Sequence, residues 1–229
     1  LTITVVTYLW GSKYSTSYVD RLGEGLRRHM DVPYRFVCLT DYARAFGGTV
    51  DYQDRIPDLD LTKIKGCFCR LRLFDPDHQR AIGVAPGDRI LVLDLDLVVV
   101  GKLSPLVLRP EPFVILQGVN NPRHPCPYTG SVWATMGGLR PDVWWDFSLE
   151  AAAMLPKYEF SDDQGWMHHK MPNAGAYTDR DGVYAFGKGP WPKGHDLPPN
   201  ARIVAFPGSK DPKLFTHLPW LKNAWLGMV

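Results

Sequence analysis

Residues 89–106, RILVLDLDLVVVGKLSPL, are among the most water-averse in the chain, yet Asp94 and Asp96 stand inside them. An apolar run of this kind predicts a strand at 89–94 buried on both faces, as in a parallel sheet covered by helices. Side chains two apart in a strand face the same way. Leu91, Leu93 and Leu95 therefore share one face, and Val92, Asp94 and Asp96 the other until the strand ends. Two neighbouring carboxylates repel, and neither is stable unpaired in apolar surroundings. A hard divalent cation meets both demands, accepting an oxygen from each while keeping water and phosphate ligands. Mg2+ or Mn2+ suits such donors and would stabilise charge gathering on a leaving diphosphate. The alternative is structural: Asp94 ends the strand by accepting backbone N–H bonds, and Asp96 is solvated in a turn.

The surrounding pattern is that of an α/β chain. ITVVTYL (3–9) is a strand apolar on both faces, and Tyr18, Leu22, Leu26 and Met30 recur every four residues in a helix that starts at Ser15 or Ser17. YRFVCLTD (34–41) completes a βαβ opening. TKIKGCFCRLRLF (62–74) reads as a helix, though its aromatic and cysteine content would also suit a strand; DPDHQ ends it, and APGD turns the chain into the 89–94 strand. Strands follow at FVILQG (113–118) and SVWATM, separated by the proline-interrupted loop VNNPRHPCPYTG. PDVWWDFSLEAAAMLPKY contains a helix, and SDDQGWMHHKM is a short helix with Ser161 at its cap and Gln164 three residues on. ARIVAF (201–206) is a last strand. This order predicts one unit over residues 1–229, with a mixed central sheet, mainly parallel at the front and flanked by helices. Open sheets of this kind take ligands at the carboxyl ends of their strands.

Composition removes several function classes. The 26 basic residues barely exceed the 24 acidic ones, and no basic stripe is present, which argues against nucleic acid. No apolar run is long enough to span a bilayer, and the start LTITVVTYLW lacks the basic leader of a signal peptide, so a cytoplasmic protein is expected. Cys38, Cys67, Cys69 and Cys126 are expected as buried free thiols, because CFC lacks the two-residue gap of common zinc sites and no second close pair follows. Trp133, Trp144, Trp145 and Trp166 are expected in the core rather than as a stacking face for a sugar. His168 and His169 fit a polar helix end, and His124 could face a cleft.

Taken in order, the motifs resemble glycosyltransferases of the GT-A type, closest to the retaining glycogenin and galactosyltransferase-like group (glycosyltransferase family 8-like). TVVTYLWGSKY resembles the first strand and nucleotide loop, and KGCFCRLRLF with RILVLDLDLVVVGKLSPL resembles the lysine-bearing helix and LDxD segment. PYTGSVWATMGG resembles the strand carrying the family's Asn-Ser/Gly-Gly-Val, SDDQGWM its DQ element, and FPGSKDP (206–212) its HxxGxxKP signature. The resemblance implies a nucleotide-diphospho-sugar transferase fold using Mn2+ or Mg2+. A UDP-sugar would be the donor and a glycan, lipid-linked or other hydroxyl-bearing molecule the acceptor. It implies that Asp94 and Asp96 coordinate the cation and that Thr7 and Tyr8 approach the base, with Tyr14 as a helper. Lys65, or Arg70 nearby, would meet the ribose or diphosphate, and Lys210 the diphosphate. Asp163 and Gln164 would face the reacting sugar, and Thr129 replaces the usual asparagine of the sugar-contacting strand. Phe206 stands where the metal-binding histidine is expected, so the cation would need His217, His195 or more water, and Asp211 intrudes before Pro212.

Three other functions share parts of this pattern. LVLDLDLV also suits a phosphatase of the haloacid-dehalogenase type, with Asp94 as nucleophile and Asp96 as acid/base, but that class carries its motif near the chain start. A nucleotidyltransferase would carry a glycine-rich N-terminal phosphate loop, which is absent. A sugar-nucleotide or glycan-binding protein with a degenerate site has Phe206 as its best argument.

Overall fold

The computed structural model describes residues 2–120, 126–155 and 162–227. β1 (Ile3–Leu9) is buried along its whole length and leads into α1 (Thr16–His29), followed by β2 (Arg35–Thr40) and β3 (Tyr52–Arg55). α2 (Pro76–Ala81) precedes β4 (Arg89–Leu93), β5 (Leu97–Val99) and α3 (Ser104–Val107). β6 (Phe113–Gln117) and the long β7 (Tyr128–Met136) come next, then α4 (Asp142–Trp145), α5 (Leu149–Ala153) and α6 (Asp163–Lys170). The chain closes with β8 (Gly175–Tyr177), β9 (Val183–Ala185), β10 (Ile203–Ala205) and α7 (Pro219–Leu226). None of the described helices is long and apolar enough to cross a membrane.

The main sheet runs β3-β2-β1-β4-β7-β6-β8. Its front, β3 through β4, is parallel; β7 is antiparallel to both β4 and β6, and β8 returns parallel to β6. This is the mixed α/β sheet that the residue pattern predicts. Alternation along β1 and β4 divides the core: Val5, Leu9, Leu91 and Leu93 pack on one side with α1, and Val6, Tyr8, Ile90 and Val92 on the other with residues 68–74. A small second sheet, β5-β10-β9, lies beyond β4 in sequence and packs into the α1 side. α1 approaches it closely because Gly25 has no side chain: a Cβ there would fall 3.2 Å from that of Val99.

Several expectations are corrected. Residues 62–74 form no continuous helix but two 3₁₀ segments, Leu59–Lys63 and Phe68–Phe74, and Ile64 ends the first with extended backbone. Gly66 (φ 122°) and Cys67 (φ 56°) break the chain between them; the first suits only glycine, and the second is a conformation that residues with a Cβ adopt at a cost. Pro76 does not merely end a helix but begins α2, where its missing N–H is harmless and the Asp75 side chain caps Asp77 N–H at 3.0 Å. The stretch after Pro141 makes two short helices instead of one. Ser161 and His124 lie outside the described residues; the observed cap of α6 is Asp162, which accepts Gly165 N–H at 2.7 Å. β3, β5, β8 and β9, each of three or four residues, carry too little pattern to be read from sequence.

Candidate active site

β4 stops at Leu93, so Asp94 and Asp96 lie just past the strand end rather than within it. The Asp94 N–H donates to Ser131 of β7 at 3.0 Å, which fixes where the chain leaves the sheet. Neither carboxylate follows the structural alternative. Asp94 pairs with a guanidinium instead of capping the strand, and Asp96, with a side chain only 13% exposed, is not a solvated turn residue.

Arg70 organises the site. Its Nε donates to Asp163 Oδ2 at 2.6 Å, and its Nη1 donates to Asp94 Oδ1 at 2.5 Å and to the Gly130 carbonyl at 3.0 Å. Arg70 and Asp163 are buried, and breaking such a pair leaves an uncompensated charge. Gly130 leaves room for this guanidinium, because a Cβ there would fall 2.5 Å from Arg70 Nη2. The Gly130 N–H donates to Gln164 Oε1 at 2.8 Å, and the Asp163 N–H to the Gly66 carbonyl at 2.8 Å. The Gly66–Cys67 break, β7 and the first turn of α6 are thereby bound to one another around one guanidinium. Asp163 also sits in the first turn of α6, where the exposed N–H groups favour a carboxylate. Burial pushes its carboxyl up to about 6, with Arg70 pulling the other way.

On the other side of the aspartate pair, Tyr14 donates its hydroxyl to Asp96 Oδ2 at 2.7 Å, and Lys13 Nζ stands 3.9 Å from the same oxygen. Burial, and next the nearby charge of Asp94, push the Asp96 carboxyl up to about 6. Burial and the Asp96 charge raise the Tyr14 phenol. These groups line a cavity of about 190 Å³ with Tyr8, Trp10, Cys67 and Leu95. Tyr8 and Trp10 meet edge to face at 6.3 Å. The Tyr8 hydroxyl is buried without a hydrogen-bond partner, as is Thr129 Oγ1. Burial pushes the Cys67 thiol up to about 12, so this cysteine is not poised as a nucleophile.

The structure gathers Tyr8, Tyr14, Arg70, Asp94, Asp96, Asp163 and Gln164 into this region, with Thr129 adjacent to Gly130 on β7. It does not bring the rest together. Thr7 is fully buried, and its hydroxyl donates to the Leu93 carbonyl at 2.8 Å across β1 and β4. Lys65 is exposed on the turn before Gly66 and does not line the cavity. Lys210 donates to the Phe186 carbonyl and lines a separate cavity of about 470 Å³ with Lys188, Trp191 and His195. Burial, and then Lys188, lower the pKa of its ammonium. A larger surface cavity of about 700 Å³, between residues 55–61 and 144–150, contains none of the network. Trp10, Lys13 and Cys67 are cavity residues that sequence reasoning missed. The signals for the first two were the polar loop WGSKYS between a strand and a helix and the resemblance of TVVTYLWGSKY to a nucleotide loop, neither of which singled out a residue.

Phe206 adjoins Asp96 through its backbone, with its N–H donating to the Asp96 carbonyl at 2.8 Å. Its ring is fully buried and stacked on Phe186 at 4.9 Å. His195 stacks on Phe186 at 5.5 Å, and His217 stands 6.3 Å from Phe215. Among the described residues no group of three or more His, Cys, Asp or Glu is placed to hold a metal. Two hard oxygen donors at the cavity still suit a Mg2+ or Mn2+ ion that draws its other ligands from phosphate and water. Trp133 and Trp166 are core residues, as expected; Trp144 is half-buried, and Trp145 is exposed.

No protein-family model matches the sequence, and no curated protein matches it. Solved structures do share its fold. The galactosyltransferase LgtC, in complex with donor and acceptor sugar analogues, has a TM-score of 0.59 at 12% identity, with 96% of each chain covered. The glycosyltransferase GlyE of Streptococcus pneumoniae TIGR4 has a TM-score of 0.61 at 14% identity, covering 99% of this chain and 64% of that one. Mouse xyloside xylosyltransferase 1 has a TM-score of 0.55 at 13% identity, covering 92% of this chain and 99% of that one. The chain shares their GT-A-type architecture, an α/β fold with a mixed central sheet flanked by helices.

Proposed function

We propose that this chain transfers a sugar from a nucleotide-diphosphate donor, a UDP-sugar, to a hydroxyl acceptor with retention, as a member of the glycogenin and galactosyltransferase-like group. The observation that carries this reading is Arg70, which ties a carboxylate at the strand end to Asp163 and Gly130 beside one cavity. Trp10 and Tyr14 offer aromatic surface to a base, and the lone Tyr8 and Thr129 hydroxyls suit polar atoms of the donor. Asp94 and Asp96 would hold a divalent cation, which neutralises the leaving diphosphate when bound. Lys65 and Lys210 would reach the donor from outside the cavity, and Thr7 would act through the β1–β4 contact. Cys38, Cys67 and Cys69 as free thiols suit a reducing, cytoplasmic setting.

Asp163 and Gln164 face the reacting sugar in this reading, as electrostatic and positioning groups. Asp163 is a poor nucleophile because Arg70 already holds its carboxylate. The sugar–phosphate bond would break as the acceptor oxygen joins the same face of the sugar, and the acceptor proton would pass to the leaving phosphate oxygen. A phosphatase using Asp94 as nucleophile fits less well, since the Arg70 guanidinium occupies that carboxylate.

Incubation with candidate UDP-sugars and Mn2+ should release UDP slowly even without acceptor. Asp94→Asn/Asp96→Asn should abolish metal-dependent donor binding while melting cooperatively; undiminished binding by that variant would overturn the reading. Phe206 favours a second reading, a sugar-nucleotide binder without turnover, which predicts tight donor binding and no UDP release with any metal or acceptor.

A further inference from the structure

Asp94 and Asp96 are balanced by cations of different kinds. Arg70, with a side chain 6% exposed, is fixed by three hydrogen bonds and cannot leave without stranding Asp163. Lys13, 68% exposed on the loop between β1 and α1, stands 3.9 Å from Asp96 Oδ2 and 4.6 Å from the Tyr14 ring centroid. Exposed pairs of this sort contribute little to stability, and a lysine's flexible stem lets its ammonium relocate. A divalent cation drawn to Asp96 would compete with Lys13 for the same oxygen and repel it. Once displaced, the ammonium would still stand at the wall of the cavity that both carboxylates line. Phosphate oxygens are strong acceptors for such a group.

Phe206 offers the Asp96 carboxylate no equivalent: its N–H donates to the Asp96 backbone carbonyl, and its ring is committed to the stack with Phe186. A cation held by two carboxylates must rely more on the donor's phosphates, so a second positive group beside those phosphates would matter more.

We propose that Lys13 is a displaceable counter-ion of Asp96: it yields the carboxylate to a divalent cation and engages the diphosphate of the donor. This rests on the donor-site reading above. The test is calorimetric titration of the full chain with UDP in Mn2+ and in EDTA, with Mn2+ binding alone followed by electron paramagnetic resonance. Lys13→Met should weaken UDP binding in Mn2+ about tenfold, and should bind Mn2+ alone more tightly than the wild type. Lys13→Arg should keep UDP affinity within about threefold, because it retains a cationic donor for phosphate on a long side chain. Wild-type UDP affinity in Lys13→Met would overturn the proposal and leave the donor site standing. A loss of UDP affinity without tighter Mn2+ binding would refute the exchange at Asp96. A wild-type chain that binds no UDP in either condition would overturn the donor-site reading, and this inference with it.

Discussion

Two of the flanks of the aspartate pair are built from opposite chemistries. Toward β7 and α6, Arg70 satisfies Asp94, Asp163 and Gly130 together. Toward β9 and β10, Phe186, Phe206, Phe215 and Trp220 pack ring against ring, with centroids 4.8 to 6.5 Å apart. The ionic flank has one geometry, since the buried Arg70 guanidinium must serve Asp94, Asp163 and the Gly130 carbonyl at once. The aromatic flank is held by area and shape, which tolerate modest change. The contrast teaches that the position beside a half-buried carboxylate can be filled by charge or by core, and that only the first gives the carboxylate a side-chain partner.

The sharpest way to break this comparison is Arg70→Ala. It strands Asp163 and Asp94, and urea unfolding should show a loss of about 3–5 kcal/mol, the usual cost of removing one partner of a buried pair. A variant as stable as the wild type would mean that the ionic flank is ornamental. Phe206→Leu should cost less, about 1–2 kcal/mol, because it trims a buried ring but keeps apolar volume. Its backbone N–H to the Asp96 carbonyl remains, so the proposed metal-dependent UDP binding should change less than twofold; a larger change would mean that the ring itself shapes the site.

The smallest effect is a pH signature of the ionic flank. The folded Asp163 carboxyl titrates at about 6, above its ordinary 3.8, so the native state holds that proton more tightly than the unfolded chain does. Its contribution to stability is therefore fully present below about pH 4 and is lost as pH rises through about 6. Asp163→Asn, which keeps a hydrogen-bond acceptor for Arg70, should remove this component from the wild-type-minus-variant profile of urea midpoints between pH 4 and pH 7. An unchanged difference across that range would show that Arg70 fully offsets the burial.

Much of the architecture was legible because its signals are local and repeated. Val5 to Leu9 and Ile90 to Leu93 are apolar on both faces, which only a covered central strand explains, and Tyr18, Leu22 and Leu26 mark a helix face. The short strands β5, β8 and β9 exist through pairing alone, since three residues hold no periodicity. At the site, residue type exposed the aspartates, and the family resemblance singled out the Asp163–Gln164 pair. Arg70 stood beside Lys65 as an alternative, because local sequence does not show which cation turns inward. The break at Gly66 and Cys67 decides it: Arg70 falls on the buried 3₁₀ segment, while Lys65 remains on the exposed turn.

By itself, the sequence determined that two carboxylates would stand where a buried strand meets a loop in a mixed α/β sheet. Hydropathy and side-chain alternation act between near neighbours and need no knowledge of distant residues. Only the tertiary structure decided what balances those carboxylates: Arg70 from 24 residues upstream, Tyr14 from 82 residues upstream, and a ring stack where the resembling family places a histidine. Those choices depend on which segments packing brings within about 3 Å, the reach of a hydrogen bond, and no local pattern encodes that distance.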